Sequence, residues 1–145
     1  MAILIHVGVP LSNIDAVQAE IKRCCVETGD IPIGRRFYKD IEEELLVVQL
    51  IEDFNVSKHT RVLNQALQQS IILSFQFERA NLITVKNSGP SDICELMTTF
   101  PLQPNDSWFP SIADPQMIYF CTRSTLLRQR QITWLEEQHL DYQYL

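Results

Sequence analysis

The sequence predicts an α+β protein with a ferredoxin-like βαββαβ core and a C-terminal α/β extension. Three observations lead there. Strand-like runs rich in Ile, Leu and Val alternate with two segments of helical spacing in the order strand, helix, strand, strand, helix, strand. The two middle strands face each other across the acidic stretch Ile41 to Glu43, as a hairpin does. Beyond Ser88-Gly89-Pro90-Ser91 that regularity ends.

Ala2 to Val9 is the first strand, stopped by Pro10-Leu11-Ser12. Ser12 can cap the following helix, with Asp15 three residues on as the return half of a capping box. Ile14, Val17, Ile21 and Cys24 or Cys25 give that helix one apolar face, and Gly29 ends it. Arg35 to Asp40 and Glu44 to Glu52 form the hairpin strands. Ser57 can cap a second helix reaching about Gln69, with Val62, Leu63, Ala66 and Leu67 on its buried side. Ile71 to Phe77 and Asn81 to Lys86 read as two further strands.

The last third reads differently. A short helix spans about Ser91 to Thr98. Pro101, Pro104, Pro110 and Pro115 leave Phe100 to Pro115 few ways to form regular structure, while Trp108 and Phe109 can anchor it. Gln116 to Cys121 is a last strand, and Ser124 or Thr125 can cap a helix running toward Gln138. The terminal "LDYQYL" is apolar enough to dock. The 145 residues fit a single domain, with 1–87 as the core and 88–145 as an extension packed on it.

Composition narrows the function classes. The net charge of −6 argues against broad nucleic-acid binding, which draws most of its affinity from a basic face. The run Arg35-Arg36-Phe37-Tyr38-Lys39 invites an RNA-binding reading, but the central strand "ELLVVQLI" carries no stacking aromatic. Cys24, Cys25, Cys94 and Cys121 show no zinc spacing, and they read as reduced thiols of a cytoplasmic protein. The apolar start "MAILIHVGVP" is too short to span a bilayer and has no signal-peptide pattern, so no membrane partner is expected. The three histidines are too dispersed to suggest a metal, and the isolated glycines form no phosphate loop.

The central strand poses the functional question. Leu45, Val47, Gln49 and Ile51 point one way, and Leu46, Val48 and Leu50 the other, so both faces are nearly all apolar. Two helices can cover only one of them. Two covers suit the second: the C-terminal third, with Trp108, Phe109, Tyr119 and Trp134, or another copy of the chain.

The succession "ILIHVGVP", "SNIDAVQAEIKRCC", "GRRFYKDIEEELLVVQLIED" and "SKHTRVLNQAL" resembles, over about the first 85 residues, half of a dimeric α+β barrel. That superfamily contains the antibiotic-biosynthesis monooxygenase-like proteins. The resemblance implies a homodimer whose two sheets close around a hydrophobic pocket for a small apolar or aromatic ligand, in some members without a cofactor. The long C-terminal extension departs from the compact family plan.

The polar residues on the open face are therefore the candidates. His6 lies opposite Ile3, Ile5 and Val7, and it can act as a general base. Tyr38 can donate a hydrogen bond into the same pocket, giving His6 and Tyr38 as candidate catalytic residues. Gln49, Ser74 and Gln76 are candidate ligand-binding residues, and Arg123, beside Ser124 and Thr125 at an expected helix start, is a candidate anion contact. His59 and His139 read as surface residues. The sequence thus predicts a small-molecule-binding protein or cofactor-independent enzyme with an apolar pocket on the sheet. The alternative is a non-catalytic interaction or regulatory module that sequesters a signalling ligand or a partner protein.

Overall fold

The computed structural model describes residues 2–28, 31–38, 43–50 and 55–145, with some side chains near the segment ends, among them those of Tyr38 and Gln49, outside the description. The expected turn at Gly29 and the hairpin tip at 41–42 lie outside the described residues. The protein is α+β, and among the described residues it has antiparallel strand pairs and four α-helices. The chain divides into two compact units, 2–79 and 80–145.

The first unit contains β1 (Ala2–Pro10), α1 (Ile14–Thr28), β2 (Ile31–Tyr38), β3 (Glu43–Leu50) and α2 (Asn55–Gln68). The first part of β4 (Ser74–Lys86) completes it. Strand order is β2-β3-β1-β4. β1 runs antiparallel to β3 with His6 opposite Val47, and β2 pairs β3 with Gly34 also opposite Val47. The β2–β3 register slips between Pro32 and Gly34, where a residue without an N–H interrupts the ladder.

Alternation decides which side faces the helices. Ile3, Ile5, Val7 and Val9 from β1 and Leu46 and Val48 from β3 pack with Ile14 and Val17 of α1 and Leu63 of α2. Phe75 and Phe77 of β4 join this core edge to face, with ring centroids 6.1 Å apart. Leu4 and Val47, on the opposite side, are also buried. Arg35 ties three elements together: its guanidinium forms a two-pronged pair with Glu44, one nitrogen lying 2.7 Å from Oε1, and a third nitrogen donates to Gln18 Oε1 of α1 at 2.8 Å. Arg35 is thus spent within the fold and is not part of a basic RNA-binding strip.

Helix starts differ from expectation. Leu11–Asn13 forms a short 3₁₀ turn before α1, so Ser12 is no cap, and the Asn13 amide instead donates to the Ile71 carbonyl at 3.0 Å. The α2 helix starts at Asn55, which places Ser57 inside its first turn. It ends in a Schellman pattern, with Ser70 N–H bonded to Leu67 O, Ile71 N–H to Ala66 O, and Ser70 at φ 59°.

The second unit contains the rest of β4, α3 (Ile93–Met97), β5 (Ser107–Pro110), β6 (Met117–Thr122), α4 (Gln129–Glu137) and β7 (Asp141–Tyr144). The two strands expected over 71–86 are a single β4, because no glycine, proline or other turn signal interrupts "SFQFERANLITVK". Asn81 stays extended opposite Thr122, and its amide donates to the Ser124 carbonyl at 2.8 Å. β6 pairs with β4 on one side and with β5 on the other, while β7 also pairs with β4. The terminal segment therefore docks as a strand. Phe100, Phe120 and Trp134 contact edge to face in the core of this unit, at 5.1 and 5.2 Å.

Candidate functional site

His6 is held by β1, whose alternation turns it away from the helix-side core. It is 9% exposed. Its Nε2 lies 2.8 Å from Glu78 Oε2 on β4, yet it completes no hydrogen bond there, so the oxygen approaches off the N–H axis. Burial pushes the His6 pKa below its ordinary value, and the nearby Glu78 charge only partly offsets this. Burial thus favours the uncharged form of the imidazole. A carboxylate at Nε2 favours the tautomer with its proton on that nitrogen and leaves the lone pair on Nδ1.

The other expected sheet-face residues are placed less closely. Ser74 and Gln76 share a face of β4 with Glu78 by alternation, but both are exposed while His6 is buried. Tyr38 stands opposite Glu43 at the end of β2, and Gln49 stands opposite Leu4 and Ile31. Their side chains lie outside the description, so the contacts expected of them do too.

Arg123 belongs to the second unit, whereas His6 belongs to the first. It is exposed and lines an open depression of about 610 Å³ with Ser124, Thr125 and Arg128. The helix start expected at Ser124 or Thr125 falls later. Ser124 N–H bonds to Thr122 Oγ1 and closes a local turn, while α4 begins only after Arg128. Arg123 is thus several residues before the helix terminus that was to assist it.

A second feature was not expected. Between α1 and α2 runs a groove of about 420 Å³, lined by Val17, Ile21, Val62, Leu63, Ala66 and Ile72. Its polar wall comes from His59, Gln65, Gln69 and Glu20. His59 is 5% exposed and not a surface residue. The signal for this was present in the sequence: His59, Leu63 and Ala66 recur at helical spacing and share the apolar face of α2. Glu78 was equally legible, since the alternation of "SFQFE" puts it on the face of Ser74 and Gln76. The groove is on the helix side of the sheet and His6 is on the other side, so the two histidines serve different surroundings.

Among the described residues no His, Cys, Asp and Glu cluster could hold a metal ion. No described helix is long and apolar enough to cross a membrane. Cys25, Cys94 and Cys121 are not in disulfides.

No family model matches the sequence, and no curated protein matches it. Among solved structures, 99% of the chain aligns with 95% of a proposed glycine cleavage system transcriptional repressor, at 15% identity and a TM-score of 0.41. A Bacteroides thetaiotaomicron protein aligns over 92% of its length at 11% identity and a TM-score of 0.40. A proposed monooxygenase from Lactobacillus acidophilus NCFM aligns over 92% of its length at 12% identity and a TM-score of 0.33. Likeness at this level assigns neither a family nor a site.

Proposed function

We propose that the chain is a small-molecule-binding module whose ligand site is the groove between α1 and α2. One observation carries this reading: a concavity of about 420 Å³, walled by aliphatic side chains with a few polar groups, is of ligand-pocket size and character. An apolar or aromatic molecule with one hydrogen-bonding group fits such a lining, with His59, Gln65 or Gln69 as the polar contact.

A second reading places the ligand on the sheet face, with His6 and Tyr38 catalytic and Gln49, Ser74 and Gln76 binding, in a homodimeric α+β barrel. The strand order β2-β3-β1-β4 supports a ferredoxin-like core of that kind. The buried imidazole against the Glu78 carboxylate supports a proton-handling role for His6. A cytoplasmic location accompanies both readings, in keeping with free cysteines.

Titration with the apolar fluorophore 1-anilinonaphthalene-8-sulfonate separates them. Ala66→Trp fills the groove and should weaken probe binding about tenfold or more, a loss of roughly 1.4 kcal/mol. His6→Gln should leave it unchanged. The reverse pattern overturns the groove reading and favours the sheet face.

A further inference from the structure

The second unit repeats the strand order of the first. β6 and β7 both pair with Ile83 to Lys86 of β4, so they flank it. The order β5-β6-β4-β7 thus matches β2-β3-β1-β4, with α3 and α4 in the places of α1 and α2. The helix ends fix the register. After α2, Gln69 N–H bonds to Gln65 O, Ser70 N–H to Leu67 O and Ile71 N–H to Ala66 O. After α4, Gln138 N–H bonds to Trp134 O, His139 N–H to Glu136 O and Leu140 N–H to Leu135 O. Each equivalent pair is 69 residues apart, as Ser70 is from His139. Val62, Gln65 and Ala66 of the groove wall therefore correspond to Gln131, Trp134 and Leu135.

At these positions α4 is covered and α2 is open. Gln131 is 2% exposed, whereas Val62 is 48% exposed. The cover on α4 is Phe100-Pro101, which follows the five-residue α3. Phe100 meets Trp134 edge to face at 5.2 Å, and the Pro101 carbonyl accepts from Gln131 at 2.9 Å. In the first unit the smaller Gln65 and Ala66 stand where Trp134 and Leu135 close the other, and the groove of about 420 Å³ runs along them.

We propose that the ligand of the α1–α2 groove is a planar aromatic molecule, whose ring takes the place against α2 that the Phe100 ring takes against α4. This rests on the groove reading and narrows it. The fold itself closes the equivalent surface of α4 with an aromatic ring, so a ring has the shape that this helix arrangement accepts. The polar groups of the groove wall agree with that shape. The His59 imidazole and the Gln65 and Gln69 amides are themselves flat, and their N–H groups can face a ring. Glu20 is engaged by Arg23 at 2.8 Å, which favours an uncharged ring over a cationic one.

Phenol and cyclohexanol are matched probes, each a six-carbon ring with one hydroxyl. In NMR titrations of the full chain, phenol should shift the amides of α1 and α2 and bind about three- to tenfold more tightly than cyclohexanol. Gln65→Trp with Ala66→Leu, which gives α2 the side chains of α4, should abolish those shifts. Should the double variant fail to fold, Gln65→Trp alone changes an exposed position and should weaken phenol about tenfold. Equal affinity of the two probes at α1 and α2 overturns the aromatic assignment and leaves the groove reading standing. Shifts at α1 and α2 from neither probe, or phenol shifts there that persist unchanged in Gln65→Trp, overturn both.

Discussion

Gln131 Nε2 donates to the Pro101 carbonyl at 2.9 Å, joining the first turn of α4 to the start of the proline-rich segment. The same nitrogen lies 3.1 Å from Asp106 Oδ2, and Oε1 accepts the Arg128 N–H at 3.0 Å. Arg128 has no side-chain acceptor with which to cap the helix, so Gln131 supplies half a capping box and a loop anchor at once. Gln131 is 2% exposed, and its hydrogen bonds have no water to replace them. Gln131→Leu should cost about 2 kcal/mol through the orphaned Pro101 and Arg128 groups, measured by urea unfolding. Unchanged stability would mean that the segment is held by its aromatics alone.

The Arg35–Glu44 pair makes a second prediction. Glu44 is largely buried and Arg35 about one-third exposed on its side chain. Glu44→Leu alone leaves a half-buried guanidinium with one amide partner, and it should destabilise the first unit by about 2 kcal/mol. The double variant Arg35→Met with Glu44→Leu should cost less than the sum of the two single changes, with a coupling of about 1 kcal/mol or more. Additive losses would show that the pair contributes only as packing.

Ser70 at φ 59° and His139 at φ 56° occupy the left-handed position that follows α2 and α4. His139 N–H bonds to Glu136 O and Leu140 N–H to Leu135 O, repeating the pattern seen at Ser70. Glycine takes this conformation without the strain of a Cβ. Ser70→Gly and His139→Gly should each raise stability by about 1 kcal/mol in thermal unfolding. A loss at either site would assign its side chain a contact that outweighs the backbone strain.

Asp114 gives a pH dependence of its own. The Gln116 N–H bonded to its carboxylate, together with Lys86, holds its pKa below the ordinary aspartate value. A depressed carboxylate stabilises above its unfolded pKa, and that contribution is lost as pH falls through the folded one. NMR titration should place Asp114 below the ordinary aspartate value, and Asp114→Asn should remove the corresponding acid-induced shift at Gln116. An ordinary value would contradict the turn geometry.

The element order of 2–79 was legible because hydrophobic period and turn signals agreed over β1, α1, β3 and α2. The junction at 78–80 was misread since a charged Glu-Arg pair inside an apolar run resembles a break, whereas both residues fit alternate faces of one strand. The helix ends at Ser70 and His139 carry no glycine, so sequence rules had no marker there. β5 stayed hidden within a proline-rich stretch whose pairing with β6 is non-local. His6 was found from alternation, but its partner Glu78 sits 72 residues away in sequence and is a contact only the fold creates. The groove escaped because it needs α1 and α2 side by side, while each helix face read alone as core.

The central claim is that the α1–α2 groove holds a small molecule. Native mass spectrometry of protein purified gently from its own host tests it most directly, with wild type, Ala66→Trp and His6→Gln compared. The account predicts a retained small mass on wild type and His6→Gln that is missing from Ala66→Trp. Retention by Ala66→Trp with loss from His6→Gln would contradict it and move the site to the sheet face.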